Sequence, residues 1–372
     1  MKKVIVGYLT DGKNSGIDKY LLNFLSVVHK DDLQIDFLSS YHDDSIKDEI
    51  KKFNSKLYKI PSLKNPVKQI NVIRKIIRDG NYDVAYFNIS ECINLTGIYA
   101  AHKEKLDRII IHSHNSGIGG DENASPIKRK MRYFLHCFCK LFLYRWGNVY
   151  IGCSKKAGEW LFPNKIVESS NFTIINNAIQ VEKFAYSPEK RLEIRKKLEI
   201  ENNFVIGHIG RFAHQKNHEY LIDIFAAVAK KYENAKLILV GEGPTQKTIE
   251  QKVSDLKLQE KVLFLGSRPD VPVLLQGMDV FILPSRFEGL PIVGVEAAIS
   301  GLPCLFSDNI SQEVKITENC KFYSIHEDPE LWAKEILILK NEPRKAAVII
   351  DDQYCFDIHQ QKEQLLNIIS GS

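Results

Sequence analysis

The chain has 372 residues, 44% hydrophobic and 26% charged, which excludes a disordered protein and, at about 150 residues per domain, points to two domains. Fifty-one Lys and Arg against 46 Asp and Glu leave a formal charge of +5, too slight an excess to indicate a nucleic-acid binder. The seven cysteines show no recurring spacing and no C-x-x-C pair, so they read as free thiols of a reducing cytoplasm, not a disulfide framework.

The opening run Val4 to Leu9 meets an acid and a glycine at once, which predicts a first β-strand and no signal peptide. Further short apolar runs follow at Leu33 to Leu38, Lys56 to Ile60, Val84 to Phe87, Ile109 to His112, Val149 to Cys153 and Phe172 to Ile175. Between them, Tyr20 to Leu25 and Val67 to Ile77 repeat apolar residues at three and four, the helical spacing. Strands separated by helices need crossover connections, so the sheet is expected to be mainly parallel and covered on both faces. Nowhere do about 18 apolar residues occur without charge, which excludes a transmembrane helix.

Ile109 to Ile111 lead into His112-Ser113-His114-Asn115. Strand alternation puts His112 and His114 on one side, where either could face a ligand. A histidine satisfied by loop carbonyls is the plain alternative, and a two-histidine metal site is disfavoured because no acidic partner is near in sequence. From Asn123 to Gly158 there is no acidic residue, while Lys128, Arg129, Lys130, Arg132, Lys140, Arg145, Lys155 and Lys156 alternate with Tyr133, Phe134, Phe138, Phe142 and Tyr144. A basic helix with aromatic residues suits the interface of an anionic membrane; a helix packed on the sheet with a basic outer edge fits the same pattern.

After a polar stretch the strand pattern restarts at Phe204 to Ile209 and continues at Leu237 to Val240, Val262 to Leu265, Val280 to Leu283 and Leu302 to Phe306. The domain boundary is placed between Ile179 and Phe204, giving domains of residues 1–180 and 181–349. A final helix from roughly Lys345 to Ile369 is a candidate to cross back, so that residues 350–372 would complete the first domain. In the second half, Gly207-His208-Ile209-Gly210-Arg211 with Lys216 allows a tight strand-to-loop turn beside two cations suited to a polyphosphate. Glu288-Gly289-Leu290-Pro291 follows another strand and opens a helix with Pro291 in its first turn, whose free amides favour a phosphate. Glu296, further along that helix, is an acceptor suited to a ribose diol.

Gly210-Arg211 with Lys216, Val240-Gly241-Glu242-Gly243-Pro244, Phe264-Leu265-Gly266 and Glu288-Gly289-Leu290-Pro291 with Glu296 resemble the retaining nucleotide-sugar glycosyltransferases of the GT-B fold, family four. The likeness spans Gly207 to Asp308 and is nearest to bacterial capsule and exopolysaccharide transferases. It implies an α/β chain of two doubly wound parallel-sheet (Rossmann-like) domains facing a cleft, with the donor bound by the second and the acceptor on the side of the first. It also implies that Arg211 and Lys216 hold the donor diphosphate, Glu296 the ribose, and that Glu288 lies beside the transferred sugar. Gly289, Leu290 and Pro291 would present backbone to sugar and phosphate, Gly210 would give close approach, and Gly266 and Arg268 would border the base. His114 would contact the donor sugar.

In the first domain Asn14-Ser15-Gly16-Ile17-Asp18 stands where the family has a Gly-Gly-x-Glu-Arg loop, keeping Gly16 for close approach. Asn176-Asn177-Ala178-Ile179 resembles an Asn-Gly-Ile turn with alanine for glycine, a departure expected to touch the hinge and not the chemistry. The resemblance implies retaining, metal-independent transfer of a hexose or N-acetylhexosamine, with no cofactor and a UDP-sugar as the first candidate donor. A lipid-linked or glycan acceptor is implied, with a cytoplasmic chain held peripherally at the membrane through residues 128–146. A non-catalytic partner subunit and a sugar-nucleotide epimerase remain alternatives. A dehydrogenase does not fit, since Gly241-Glu242-Gly243 lacks the third glycine of a dinucleotide-binding turn.

Overall fold

The computed structural model describes residues 1–9, 16–28, 33–40, 46–117, 125–342, 344, 346–347 and 356–371. The chain divides into two compact units, residues 1–179 with 355–372, and residues 180–354.

Among the described residues the first unit holds seven strands: β1 (Lys2–Leu9), β2 (Leu33–Ser39), β3 (Leu57–Lys59), β4 (Val84–Ile89), β5 (Arg108–Ser113), β6 (Val149–Gly152) and β7 (Phe172–Ile174). They form one sheet in the order β3-β2-β1-β4-β5-β6-β7, and every pairing is parallel. Val4, Ile5, Val6, Ala85, Phe87, Ile110, Ile111 and Ile151 are all buried. Near-continuous apolar strands of this kind are what burial on both faces requires. The Pro66–Gly80 helix starts on a cap in which Asn65 accepts from the Lys68 amide, and ends at Asn81 in the left-handed region. The last helix, Ile358–Ser370, begins later than expected from sequence; Lys345, Val348 to Ile350 and the residues up to Cys355 lie outside the described ones. It is tied to this unit by Ile179, whose amide donates to the Phe356 carbonyl and whose carbonyl accepts from the Ile358 amide.

The second unit holds β8 (Phe204–Ile209), β9 (Ala235–Val240), β10 (Val262–Phe264), β11 (Val280–Leu283), β12 (Cys304–Ser307) and β13 (Cys320–Tyr323). Their order is β10-β9-β8-β11-β12-β13, again all parallel. Leu221, Phe225, Leu237, Leu239, Ile282, Leu305 and Trp332 belong to one core cluster of this unit. In both sheets the order reverses beside the first strand, between β1 and β4 and between β8 and β11. Ligands of open α/β sheets bind outside the carboxyl ends of the strands at such a switch point.

Candidate donor site at the switch point of the second sheet

Beyond β8 the chain runs through Gly210 and Arg211 into a short turn, His214–Lys216, and then into the His218–Lys231 helix. Beyond β11 it runs through Pro284 to Pro291 into the Ile292–Ile299 helix. Because β8 and β11 are neighbours, the two loops meet. The Asn217 amide donates to the Pro284 carbonyl (3.1 Å) and the Arg286 N–H donates to the Gln215 carbonyl (2.8 Å). The Gln215 side chain donates to the Phe287 carbonyl (3.0 Å) and to Glu288 Oε2 (3.1 Å). Lys216 Nζ lies 2.6 Å from Glu288 Oε1. Glu288 is only 8% exposed, so its carboxylate is held by a cation on one oxygen and an amide on the other.

The neighbouring turns are packed closely enough to need glycine. Gly241 has φ +133°, and a Cβ there would lie 2.2 Å from the Gly210 carbonyl oxygen; a Cβ on Gly243 would lie 2.3 Å from that of Phe212. The Gly241 amide donates to the Gly266 carbonyl (2.8 Å), which stitches the ends of β9 and β10 together. A Cβ on Gly210 would meet Lys216 Cδ at 3.1 Å and His208 Nε2 at 3.0 Å. His208, fully buried, lies with its Nδ1 2.9 Å from the Ile282 carbonyl. Burial pushes its pKa down to about 3 against the opposing effect of that carbonyl. His218, stacked on Phe212 at 4.1 Å between ring centres, is held well below its ordinary value by burial and by the neighbouring His208 and Lys216. Both imidazoles are neutral, and sequence reasoning assigned neither a role. The buried Asn217 Oδ1, His208 Nε2, both His218 ring nitrogens and Ser285 Oγ make no hydrogen bond, so this end of the sheet holds unsatisfied polar atoms able to receive a ligand or water.

Pro291 is the residue before the Ile292–Ile299 helix, in extended conformation, and offers no capping side chain. This corrects its expected first-turn place. The amides of Ile292 and Val293 have no acceptor four residues back, and the helix dipole gives that end partial positive charge. Gly289, Leu290 and Pro291 are buried in the same turn, and Glu296, on the helix, is 6% exposed. Arg211 is exposed. Arg268 makes a two-point pair with Asp270, Nε to Oδ1 at 2.8 Å and Nη2 to Oδ2 at 2.6 Å, so its charge is balanced within its own loop.

In the first unit His112 and His114 do share a side, with ring centres 3.9 Å apart. His114 Nε2 is 2.8 Å from Asn88 Oδ1, and Asn88 is fixed by donating its amide to the Gly7 carbonyl. His114 Nδ1 faces the Asn177 side chain at 3.1 Å. Burial drives His114 down to about 3, with the Asn177 bond acting the other way. Asn177, in the turn from Asn176 to Ile179, thus reaches this histidine directly. Gly16 begins the Gly16–Val28 helix and is exposed; Asn14 and Ser15 lie outside the described residues. Asp18 is fully buried in that helix. Among the described residues no group of three or more His, Cys, Asp or Glu is placed to hold a metal ion.

Residues 190–354 match the family model described as Glycosyl transferases group 1. The whole chain is 28% identical to the Bacillus subtilis (strain 168) protein named as glycosyltransferase EpsF, over 97% of that protein. It is also 28% identical, over 73% of this chain and 68% of the relative, to the Escherichia coli UDP-Gal:alpha-D-GlcNAc-diphosphoundecaprenol alpha-1,3-galactosyltransferase. The solved structure of Anabaena Alr3699/HepE in complex with UDP-glucose superposes with a TM-score of 0.79 at 20% identity, covering all of both chains. The chain therefore has the GT-B fold, and its residues 190–354 match the glycosyl transferases group 1 family.

Proposed function

We propose that the chain transfers a sugar from a nucleotide diphosphate donor, a UDP-sugar first, to a glycan or lipid-linked acceptor in surface-polysaccharide synthesis, with retention and without a metal. The observation that carries this reading is the meeting of Lys216 and Glu288 where the loops after β8 and β11 join, with Arg211 exposed in the first loop and the Ile292 helix starting beyond the second. Cations and helix amides there suit a diphosphate, with a buried carboxylate beside them. The relatives support it: the E. coli enzyme is named for UDP-Gal and a diphosphoundecaprenol acceptor, and the Anabaena structure holds UDP-glucose.

In this reading the bond between sugar C1 and the phosphate oxygen breaks, with its electron pair leaving on the phosphate. The acceptor oxygen bonds to C1 from the same face, and the hydroxyl proton passes to the departing phosphate. Arg211, Lys216 and the helix amides stabilise the charge that grows there, and Glu288 faces the positive sugar. Glu296 binds the ribose. A thermal-shift panel of UDP, GDP, ADP and CDP tests the donor class, since preferential binding raises stability by mass action. One diphosphate is expected to stand out, and no shift with any of the four would refute the reading. By calorimetry, Glu296→Ala should weaken that diphosphate by about 10-fold or more, the worth of hydrogen bonds to a charged group. Unchanged affinity would remove the ribose role.

The membrane contact belongs to the same reading. On the Pro126–Leu143 helix, Ile127, Met131, Phe134, Phe138 and Leu141 recur every three or four residues, and all are more than half exposed. They are not packed on the sheet; the inner side of the helix is instead held by buried His136 and Leu143 and by Arg132 pairing with Glu91 at 2.7 Å. Exposed Lys128, Arg129 and Lys130 flank the apolar stripe, and among the described residues no helix is long and apolar enough to cross a membrane. This charge pattern fits shallow seating in a bilayer bearing anionic headgroups. Flotation with phosphatidylglycerol vesicles should exceed that with phosphatidylcholine, and Phe134→Ser with Phe138→Ser should abolish it. Failure to float with either lipid would refute the contact.

A further inference from the structure

We infer that Gln215 is a positioning residue for Glu288, and that it keeps the carboxylate aimed while the donor draws Lys216 away. The inference rests on the proposed donor site and adds to it a residue whose neutral side chain gives no charge signal.

Glu288 divides its two oxygens between unlike partners: Oε1 lies against the Lys216 ammonium at 2.6 Å, and Oε2 accepts from the Gln215 amide at 3.1 Å. The two partners respond differently to a diphosphate. A polyanion attracts Lys216, a point charge on a flexible stem, and competes with Glu288 for it. It exerts no comparable pull on an uncharged amide. Gln215 is also anchored independently of the carboxylate, because the same amide donates to the Phe287 carbonyl at 3.0 Å and the Gln215 backbone carbonyl accepts from the Arg286 N–H at 2.8 Å. When Lys216 turns to the phosphates, Glu288 keeps its bond through Oε2 and its place in the loop, and Oε1 is released from the cation toward the sugar. Gln215 touches neither phosphate nor sugar in this account. Its effect should therefore fall on turnover and not on the grip on the nucleotide.

The test uses the full chain with Gln215→Met, which keeps length and volume but removes both amide bonds, and Gln215→Glu, which sets a second carboxylate against Glu288. UDP binding is read by calorimetry, and UDP release from UDP-glucose, UDP-galactose and UDP-N-acetylglucosamine gives turnover with water as acceptor. Gln215→Met should leave the UDP dissociation constant within about twofold of wild type and lower turnover by about 10- to 100-fold, the scale of a misplaced reacting group. Gln215→Glu should lower turnover at least as far. Turnover of Gln215→Met within twofold of wild type would overturn the inference, as would a loss of UDP affinity matching the loss of turnover, which marks a merely structural loop contact. A wild-type chain that neither binds UDP nor releases it from any of these sugars would overturn the donor reading, and the inference with it.

Discussion

Replacing Lys216 by methionine is expected to lower sugar transfer by about 100- to 1000-fold, the cost of removing one preorganised charge from a developing oxyanion. The structure adds a second consequence. Lys216 and Glu288 keep only 16% and 10% of their side-chain surface, so removing the ammonium leaves a nearly buried carboxylate supported by the Gln215 amide. Stability should fall by ~3 kcal/mol, the low end for breaking a buried pair by removing one partner. Adding Glu288→Gln to the same chain removes the stranded charge and should restore much of the lost melting temperature without restoring transfer. Arg211, being exposed, carries no such burden: Arg211→Ala should lose rate and keep the wild-type melting temperature. Transfer by the Lys216 variant within twofold of wild type would remove it from the diphosphate site. Equal melting temperatures for wild type and Lys216→Met would show that the ion pair carries no net stability.

The strands were legible because both sheets are parallel and buried on both faces, so Val280 to Leu283 or Ile109 to Ile111 read as unbroken apolar runs. The strand Cys320–Tyr323 went unread, because it is short, lies at the sheet edge and carries an exposed Lys321. Motif spacing drew attention to Lys216 and Glu288 separately. Their contact across 72 positions depends on β8 and β11 being neighbours, which no local pattern states. Gln215 and Asn88 were silent for another reason: an amide shows neither charge nor periodicity, and only its partners reveal what it does. Arg268 shows the converse, a cation that looks available in sequence and is balanced by Asp270 two residues on. Along Pro126–Leu143 the sequence shows cations mixed with aromatic residues, but that mixture alone cannot say whether the apolar side meets protein or solvent.

Acid should destabilise both units well above the pH at which carboxylates protonate, because each encloses a pair of neutral imidazoles. In the first, His112 packs against His114 and its Nδ1 lies 2.7 Å from the Tyr86 hydroxyl, with the Tyr20 ring edge-on. In the second, His208 meets His218 at 4.7 Å between ring centres, near the Lys216 ammonium. Burial is the leading cause that lowers all four. A depressed histidine pKa means that the unfolded chain, titrating near 6.5, binds more protons than the folded one as pH falls. Stability is then complete above about pH 7 and is lost progressively below about 6.5, toward the folded values near 3 of His114 and His208. At pH 5 each of these two sites should cost on the order of 2 kcal/mol, and His112 and His218 act in the same direction. A loss of that size in each unit is a large part of the 5–15 kcal/mol typical of a folded domain, so melting should drop steeply between pH 7 and pH 5. Replacing His218 by phenylalanine, which preserves its stacking on Phe212, should shallow the slope by up to about 1.4 kcal/mol per pH unit. Superimposable melting curves at pH 7.5 and 5.0 would mean that the four rings take up protons in the folded chain as readily as in the unfolded one.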